Sequence, residues 1–481
     1  MLARIVKNQT LSNNRRSPHR HRTGRPHMTP TPTDAPTDAQ AAAQAAALAH
    51  LQRAERAAAD TPQARQGTPR PVRRVGVVGG GTMGAGIALA LLNAGLPVVM
   101  VERDEAALAQ GRARIQAVLD GQVAKGRLTA GDRAAVMARW QGSTHFADLH
   151  DADLVIEAVF EDLAVKHAVF AQLAQHCRPG AVLATNTSYL DINEIARACP
   201  RPQDVIGLHF FSPAHVMKLL EIVVPEAVSA DVVATAFELA RRLKKVAVRA
   251  GVCDGFIGNR ILAAYRAAAD HLMEDGASPY EIDAMARAFG FPMGPHEVSD
   301  LAGGDIGWAT RKRRRAARDP RAPAVRDVQI ADRLCERGWF GQKTGRGWYR
   351  YEAGSRSGSP DPEVLAIVEA ERVRAGIAPR HFTREEIERR CIAALVNEGA
   401  KVVAEGIALR PLDVDVTLVN GYGFPRQRGG PMWHADQLGL DRILADIQAF
   451  AQEDPLFWQP AQLLVELVAS GRHFESLNPV D

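Results

Sequence analysis

The sequence predicts an α/β protein in which a parallel sheet is followed by two related all-α domains. Short apolar runs alternate with helical segments up to about residue 250, a pattern typical of parallel strands with crossover helices. From about residue 253 the strand-like runs give way to helical periodicity, and one residue pattern occurs twice there. The predicted units are a low-complexity extension, the sheet domain, a first helical domain and a second helical domain, at residues 1–70, 71–252, 253–350 and 363–481.

A glycine turn marks the start of the predicted sheet domain. Gly79, Gly81 and Gly84 follow the apolar run Val75–Val78 in G-x-G-x-x-G spacing, and a helical segment and a second apolar run come next. In such a turn the first glycine permits the tight bend, the second lets the backbone approach a pyrophosphate, and the third permits close helix packing. The stretch therefore predicts a Rossmann domain with a dinucleotide on the helix N-terminus.

An acidic residue indicates which dinucleotide is bound. Glu102 ends the second run, 21 residues after Gly81, where a carboxylate meets the adenosine ribose and repels a 2′-phosphate. We predict NAD over NADP, with FAD as the competing cofactor because it uses the same unit. The predicted cofactor contacts are Gly79, Gly81, Thr82, Met83, Gly84, Glu102, Glu161, Lys166 and Asn186.

The composition argues against a disulfide-bonded, metal-binding, membrane-spanning or nucleic-acid-binding protein. The five cysteines form no C-x-x-C pair and no metal-ligand spacing, so we predict free thiols, a cytoplasmic location and no metal. No uninterrupted apolar run reaches about 18 residues, so no membrane span is predicted. Residues 1–28 carry seven of the 59 basic residues and no acid, leaving 52 basic against 55 acidic side chains, a net charge of −3. That near-neutral remainder argues against nucleic-acid binding.

The N-terminal 70 residues have the composition of a disordered extension. The basic stretch 1–28 has two interpretations, a transit peptide or an upstream extension with Met28 as the true start. Residues 39–59 are rich in alanine and predict a linker helix, and residues 60–71 are rich in Pro, Gln and Arg and predict a flexible connection.

Polar residues follow the ends of the predicted strands, where ligands bind in such sheets. His209 follows the run Val205 to Leu208, and Glu221 lies in the apolar stretch MKLLEIVV. A carboxylate among aliphatic side chains needs a partner, and a His–Glu dyad would fix the imidazole tautomer and raise its basicity. The alternatives for Glu221 are a salt bridge to Lys218 or a solvent-facing position.

Four further residues and one basic run have two interpretations each. Ser188 and Asn259 could hold a substrate oxygen, or serve as a turn hydroxyl and a helix cap. Glu157 and Glu161 could face the nicotinamide, or pair with Lys166. The run RKRRRAAR at 311–318 could meet an acidic partner or form a solvated helix face.

The helical region contains an internal repeat. The first copy has Pro279, Asp283, GFP at 290–292 and Gly-Pro at 294–295. The second copy has Pro411, Asp415, GFP at 423–425 and Gly-Pro at 430–431. The equal spacing from proline to aspartate predicts two domains of one ancestry, joined by a Gly/Ser/Pro-rich linker at 351–362.

Over residues 72–481 the sequence resembles the L-3-hydroxyacyl-CoA dehydrogenases, and most closely the dehydrogenase part of multifunctional fatty-acid β-oxidation enzymes. The resemblance is carried by GGGTMGAGIA, DLVIEAVFEDLAVK, ATNTS, GLHFFSPAHVMKLLEIV, DGFIGNR and NGYGFPRQRGGPM. It implies helical domains like the C-terminal domain of 6-phosphogluconate dehydrogenase. It also places the family's catalytic His–Glu pair on His209 and Glu221 and its substrate-oxygen contacts on Ser188 and Asn259. No hydratase domain precedes the match in this sequence, so hydratase activity is not expected.

The resemblance implies NAD-dependent oxidation of (S)-3-hydroxyacyl-CoA to 3-ketoacyl-CoA. A short-chain 3-hydroxybutyryl-CoA dehydrogenase and a catalytically silent NAD-fold binding protein are the alternatives. The implied partners are an acyl-CoA substrate and a complex with other β-oxidation enzymes. Short family members pair their single helical domain with that of a second subunit. With two helical domains in one chain, we expect a monomer held by intramolecular pairing.

Overall fold

A computed structural model describes residues 37–478 apart from residues 322, 324 and 356. Eight strands form one sheet in the order β3-β2-β1-β4-β5-β6-β7-β8. All neighbouring strands are parallel except β6 and β7, which are antiparallel. The strands are β1 Val75–Val78, β2 Val98–Val101, β3 Trp140–Ser143, β4 Leu154–Glu157, β5 Val182–Thr185, β6 Val205–Phe210, β7 Leu219–Val223 and β8 Val246–Ala250.

Helices alternate with the strands of this sheet, and the helices of the two repeats follow its last strand in sequence. Those up to the end of the sheet are α1 Asp38–Ala58, α2 Pro62–Gln66, α3 Thr82–Asn93, α4 Glu105–Val123, α5 Ala130–Met137, α6 Leu163–His176, α7 Ile192–Arg197 and α8 Ala230–Arg242. Those of the first repeat are α9 Gly258–Asp275, α10 Pro279–Phe289, α11 Pro295–Ala302, α12 Gly304–Ala316 and α13 Ile330–Glu336. A hairpin of β9 Tyr349–Arg350 and β10 Ser359–Pro360 leads to α14 Pro362–Ala375, α15 Arg384–Ala404, α16 Pro411–Tyr422, α17 Pro431–Leu438, α18 Leu440–Phe450 and α19 Gln462–Ala469.

The predicted α/β class with a Rossmann domain and a helical part is confirmed, with one difference in the sheet. The five apolar runs noted in the sequence form parallel neighbours, as predicted. The stretch with Glu221 forms β7, which turns back against β6 because only a short connection separates the two strands. The sequence of β3, WQGS, lacks an apolar run and gave no strand signal.

The glycine turn has the geometry that its spacing predicts. Gly79 adopts a left-handed φ of 96°, and a Cβ on Gly84 would lie 1.8 Å from the Gly79 carbonyl oxygen. A Cβ on Gly81 would meet nothing within 4 Å, so the backbone is open to a ligand there. The first and third glycines therefore set the packing of α3 on β1, and the second faces the cavity.

One capping device explains the repeated residues of the helical part. The carboxylate of Asp283 accepts the backbone N–H groups of His296 and Glu297 at 3.1 and 3.0 Å, at the start of α11. Asp415 accepts those of Met432 and Trp433 at 2.7 and 3.2 Å, at the start of α17. A carboxylate is favoured at a helix N-terminus because the first N–H groups there lack intrahelical partners. The Gly-Pro pairs belong to the same device, since a Cβ on either glycine would lie 2.3 Å from the aspartate.

The two repeats pack on each other within the chain. Helix α9 of the first repeat packs along α15 of the second, and α10 also contacts α15. Apolar side chains of both repeats and of one face of the sheet belong to one continuous hydrophobic cluster. The guanidinium of Arg260 on α9 pairs with Glu398 at 2.6 Å and with Glu405 at 2.5 Å.

The N-terminal segment differs from the prediction of disorder over residues 1–70. The predicted alanine-rich helix is α1, and its His50 Nε2 lies 3.0 Å from Asp415 Oδ2 with the ring stacked on Trp433. The predicted flexible connection is anchored as well, because Arg70 pairs with Asp231 and Asp204 at 2.7 Å each. Composition did not reveal these contacts, which join residues distant in sequence. Residues 1–36, including the basic stretch and Met28, lie outside the described part.

The basic run at 311–318 finds its acidic partners inside the chain. Arg315 pairs with Asp327 at 2.8 Å, and Arg313 and Arg314 both pair with Asp254 at 3.2 and 3.1 Å. Across the described ranges, no helix combines the length and the apolar character needed to cross a membrane.

Replacing Gly84 by alanine tests the packing of the glycine turn. We expect Gly84→Ala to lower the free energy of unfolding by about 1–3 kcal/mol and to weaken NAD binding, because its Cβ collides with backbone. The matched control is Gly121→Ala in α4, where a Cβ meets nothing within 4 Å and alanine should add about 0.5–1 kcal/mol. Urea unfolding and NADH titration measure both effects, and equal stability of Gly84→Ala and wild type would contradict the packing argument.

Candidate active site

A histidine and a glutamate meet across the antiparallel pair of strands. In the register of β6 and β7, His209 lies directly opposite Glu221, so their side chains leave the sheet on the same face. His209 Nδ1 lies 2.7 Å from Glu221 Oε2, and both side chains are buried. A carboxylate at Nδ1 holds the proton on that nitrogen and leaves Nε2 as an acceptor. The predicted dyad is therefore formed, and the turn that reverses β7 creates it.

The second oxygen of Glu221 is held by the start of a helix. Glu221 Oε1 accepts the backbone N–H of Gly258 at 3.0 Å, at the first residue of α9. This N–H has no intrahelical acceptor, and the helix dipole favours a carboxylate there. Since Glu221 is fully buried with these two partners, the alternatives of a Lys218 salt bridge and a solvent-facing position do not apply.

Ser188 lies on the other side of the histidine. Its hydroxyl oxygen is 3.2 Å from His209 Nε2, on the loop that follows β5. The loop is held by Glu161 Oε1, which accepts the N–H groups of Ser188 and Tyr189 at 2.9 and 3.1 Å and the hydroxyl of Thr187 at 2.6 Å. The Ser188 hydroxyl therefore faces the imidazole, and its contact with a substrate oxygen stays a prediction.

Asn259 is the second residue of α9, next to the glycine that binds Glu221. The helix cap is Ile257, without a side-chain hydrogen bond, so Asn259 is not the cap. Its Oδ1 accepts the phenol hydroxyl of Tyr422 at 2.9 Å. Burial raises the pKa of Tyr422 well above its usual value, so the phenol is neutral and able to donate.

A cavity of about 800 Å³ lies at the glycine turn. Helix α3 begins there at Thr82 after Gly81, with no side-chain cap, so its N–H groups are available to a pyrophosphate. Apolar side chains of Phe146, Val165 and Val169 also line the cavity, and such side chains suit the faces of an adenine ring. Five of the nine predicted cofactor contacts line this cavity: Gly79, Gly81, Thr82, Met83 and Glu102.

Glu102 holds the turn as well as facing the cavity. Its Oε1 accepts the N–H of Gly80 at 2.6 Å and its Oε2 accepts the N–H of Arg103 at 3.0 Å. Each carboxylate oxygen keeps a second acceptor position. The carboxylate is thus held at the wall of the cavity, and its contact with a ribose hydroxyl stays a prediction.

The other predicted cofactor residues have partners within the chain. The buried ammonium of Lys166 lies 2.8 Å from Glu157 and 3.4 Å from Glu161, so the pairing interpretation of these acids is the one observed. Asn186 accepts the N–H of Phe210 at 2.9 Å and joins the ends of β5 and β6. Direct contacts of Glu161, Lys166 and Asn186 with the cofactor stay predictions.

Two residues of the site escaped the sequence reasoning. Gly258 was seen only as part of the motif GFIGNR, because a backbone N–H carries no side-chain signal. Tyr422 lies 163 residues from its partner Asn259 and belongs to the other repeat. A comparison of the repeats shows a signal: Tyr422 precedes the second GFP where Phe289 precedes the first.

The fold and the cavity together define a two-part protein, with a dinucleotide-binding Rossmann domain followed by a helical part. Residues 74–253 match the family model of the 3-hydroxyacyl-CoA dehydrogenase NAD-binding domain, and residues 255–351 and 387–476 match the model of its C-terminal domain. The chain therefore belongs to the 3-hydroxyacyl-CoA dehydrogenase family. This confirms the predicted family, the enzyme class and the cofactor NAD, whereas the roles of individual residues stay predictions.

Relatives and solved structures agree with this assignment. The chain is 45% identical to the peroxisomal bifunctional enzyme of Cavia porcellus over 414 residues, 84% of this chain and 57% of the relative. It thus spans little more than half the length of that relative. The structure resembles 3-hydroxybutyryl-CoA dehydrogenase from Escherichia coli, with a TM-score of 0.71 and 29% identity, covering 84% of this chain and 100% of that one. For the dehydrogenase part of multifunctional enzyme 1 from C. elegans, the TM-score is 0.61 at 28% identity, covering 84% and 91%.

The comparisons correct the predicted location. Relatives from animals and plants are named peroxisomal or glyoxysomal enzymes, so the prediction of a cytoplasmic protein is wrong. The prediction rested on the cysteines, and free thiols distinguish only environments that form disulfides from those that do not.

Glu102→Gln tests the discrimination between the two nicotinamide cofactors. We expect the ratio of kcat/KM for NADH over NADPH to fall by about tenfold, ~1.4 kcal/mol, because the amide no longer repels a 2′-phosphate. Glu105→Gln, at an exposed position in the first turn of α4, is the matched control and should leave the ratio unchanged. An unchanged ratio in Glu102→Gln would place the carboxylate away from the ribose.

Proposed function

We propose that His209 is the general base of (S)-3-hydroxyacyl-CoA oxidation and that Glu221 is its counter-charge. The observation that carries this proposal is the arrangement at the imidazole. Nδ1 is held by the buried Glu221 at 2.7 Å, and Nε2 faces the Ser188 hydroxyl at 3.2 Å. An imidazole held in this way accepts a proton at Nε2 while the carboxylate stabilises the imidazolium that forms.

The proton and the substrate oxygen have separate partners in this mechanism. His209 Nε2 takes the proton of the 3-hydroxyl, and the Ser188 hydroxyl and the Asn259 amide orient the oxygen as it becomes a ketone. Gly79, Gly81 and Thr82 at the glycine turn would hold NAD⁺, which when bound would supply the acceptor for the C3 hydride. In the reverse direction, the His209 imidazolium returns the proton to the oxygen.

The proposal covers the dehydrogenase step and places it in fatty-acid β-oxidation. Support for that setting comes from relatives such as the Arabidopsis protein named for peroxisomal fatty acid beta-oxidation. A short-chain enzyme is the second candidate, because all of the E. coli 3-hydroxybutyryl-CoA dehydrogenase aligns with this chain. Rates with 3-ketoacyl-CoA substrates of increasing chain length distinguish the two.

His209→Gln and Glu221→Gln test the dyad. We expect His209→Gln to lower kcat for acetoacetyl-CoA reduction by about 10²–10⁴ and to leave NADH binding nearly unchanged, because the histidine lies away from the glycine turn. Glu221→Gln should also be severe, since the imidazolium loses its counter-charge. Stopped-flow turnover and NADH titration provide the measurements.

The control for these variants is His296→Gln in the first helical repeat. His296 Nδ1 lies 2.9 Å from Asp283, a second buried His–carboxylate pair that is part of a helix cap. The His296→Gln variant should have a lower thermal stability, and its kcat should stay within about threefold of wild type. A Glu221→Gln enzyme with a similar near-normal kcat would reject the dyad.

We also propose that the chain is a monomer in which one helical repeat replaces a partner subunit. Support comes from the packing of α9 along α15 and from the single hydrophobic cluster that both repeats share. Linkage through the connecting segment gives an effective concentration of roughly millimolar, which favours the intramolecular pair.

Light scattering with size separation tests the monomer. At low micromolar concentration we expect the mass of one chain, 52.1 kDa. The double variant Glu398→Gln, Glu405→Gln, which removes the partners of Arg260, should remain monomeric with slightly lower stability, because the hydrophobic cluster shared by the repeats still holds them together. A tight dimer of wild type through α9 would contradict intramolecular pairing.

A further inference from the structure

We propose that Tyr422, contributed by the second helical repeat, is a positioning residue that orients the Asn259 amide towards the substrate oxygen. The inference rests on the proposed function of Asn259. Its observation is the hydrogen bond from the Tyr422 hydroxyl to Asn259 Oδ1, 2.9 Å long, between residues of different repeats. On this proposal the second repeat serves the reaction as well as burying the first.

Close backbone contacts place Tyr422 beside Asn259. It is the last residue of α16, which Gly423 ends with a left-handed φ of 74°. A Cβ on Gly421 would lie 2.5 Å from Leu219 on β7, so the end of α16 lies directly on the strand that carries Glu221. A Cβ on Gly258 would lie 2.2 Å from the Tyr422 ring, so that glycine admits the ring against the first turn of α9.

Aromatic contacts fix the ring from the side of the sheet. The ring of Tyr422 meets Phe211 edge-on at 5.5 Å between centroids, and Phe211 in turn lies 4.5 Å from the His209 imidazole. Such pairs prefer tilted or edge-to-face geometry, as seen here. The phenol oxygen is therefore held on a rigid ring and cannot follow Asn259 if that side chain rotates.

The hydrogen bond decides which end of the amide faces the substrate. An Asn side chain has one accepting oxygen and one donating nitrogen, and the two ends are opposite. A neutral phenol that donates to Oδ1 occupies the accepting end, which leaves the Nδ2 hydrogens for the substrate oxygen. Only a donor can stabilise the negative charge that grows on this oxygen during reduction of the ketone.

The two repeats carry different aromatic residues at the position of Tyr422. Phe289 stands at the end of α10 where Tyr422 stands at the end of α16, and both helices end at the glycine of a GFP sequence. Phe289 is buried against Phe291 and Phe424 and carries no hydroxyl that could donate a hydrogen bond. Of these two aromatic residues, only Tyr422 has a hydroxyl, and it belongs to the second repeat, in which the end of the helix contacts the start of α9.

A double-mutant cycle tests the inference in the full-length chain. The variants are Tyr422→Phe, Asn259→Ala and both together, assayed with acetoacetyl-CoA and NADH. We expect Tyr422→Phe to lower kcat by about threefold to tenfold, the effect of one hydrogen bond, with KM for both substrates nearly unchanged. In the Asn259→Ala background the same substitution should change kcat by less than about 1.5-fold, because its effect passes through the amide.

The control is Tyr280→Phe, which removes a phenol that donates to the Trp348 and Asp361 carbonyls in the first repeat. The Tyr280→Phe variant should leave kcat unchanged. The pH midpoint of kcat/KM should be the same in Tyr422→Phe as in wild type.

Full activity of Tyr422→Phe, or an equal loss in both backgrounds, overturns the inference and leaves the proposed function standing. Full activity of Asn259→Ala overturns both the oxygen-binding role of Asn259 and the inference, whereas His209→Gln still tests the base separately.

Discussion

The carboxylate of Glu221 connects the sheet to the helical part of the molecule. One oxygen binds the imidazole of His209 across the strand pair and the other accepts the Gly258 N–H at the start of α9. A buried carboxylate is costly unless both oxygens have donors, so these two contacts depend on one another. The position of α9, and with it Asn259, is thereby tied to the carboxylate that holds the His209 imidazole.

The internal duplication gives this connection a rigid support. The second repeat packs α15 along α9 and places the end of α16 on β7, so the start of α9 contacts both the sheet and the second repeat. Helix α1 extends the support, because its Glu55 accepts hydrogen bonds from Asn420 and Arg426, on either side of Tyr422, at 3.0 and 2.8 Å. A second subunit could provide a similar surface only at the entropic cost of association.

Much of the site was predictable because it follows local rules. The glycine spacing fixed the turn, and polar residues after strand ends identified Ser188 and His209. Glu221 stood out as an acid within an apolar run. The partners of Glu157 and Lys166 were left open, since sequence spacing does not tell whether two charged groups turn towards each other or towards a ligand. Disorder was predicted for residues 60–70, although Arg70 is anchored by two distant aspartates.

By itself, the sequence determined the Rossmann unit, the cofactor NAD and the repeated residues of the helical part, whereas the four residues expected around the substrate oxygen follow from the family resemblance. The Rossmann unit and the repeat can be found from short-range spacing, because the period of a strand or a helix sets which side chains share one face. Only the tertiary structure decided that β7 runs antiparallel, that a backbone N–H of α9 holds Glu221, and that Tyr422 reaches Asn259 from 163 residues away. Such contacts arise when the strands and helices pack as a whole, and neither residue of a pair indicates its partner before that packing exists.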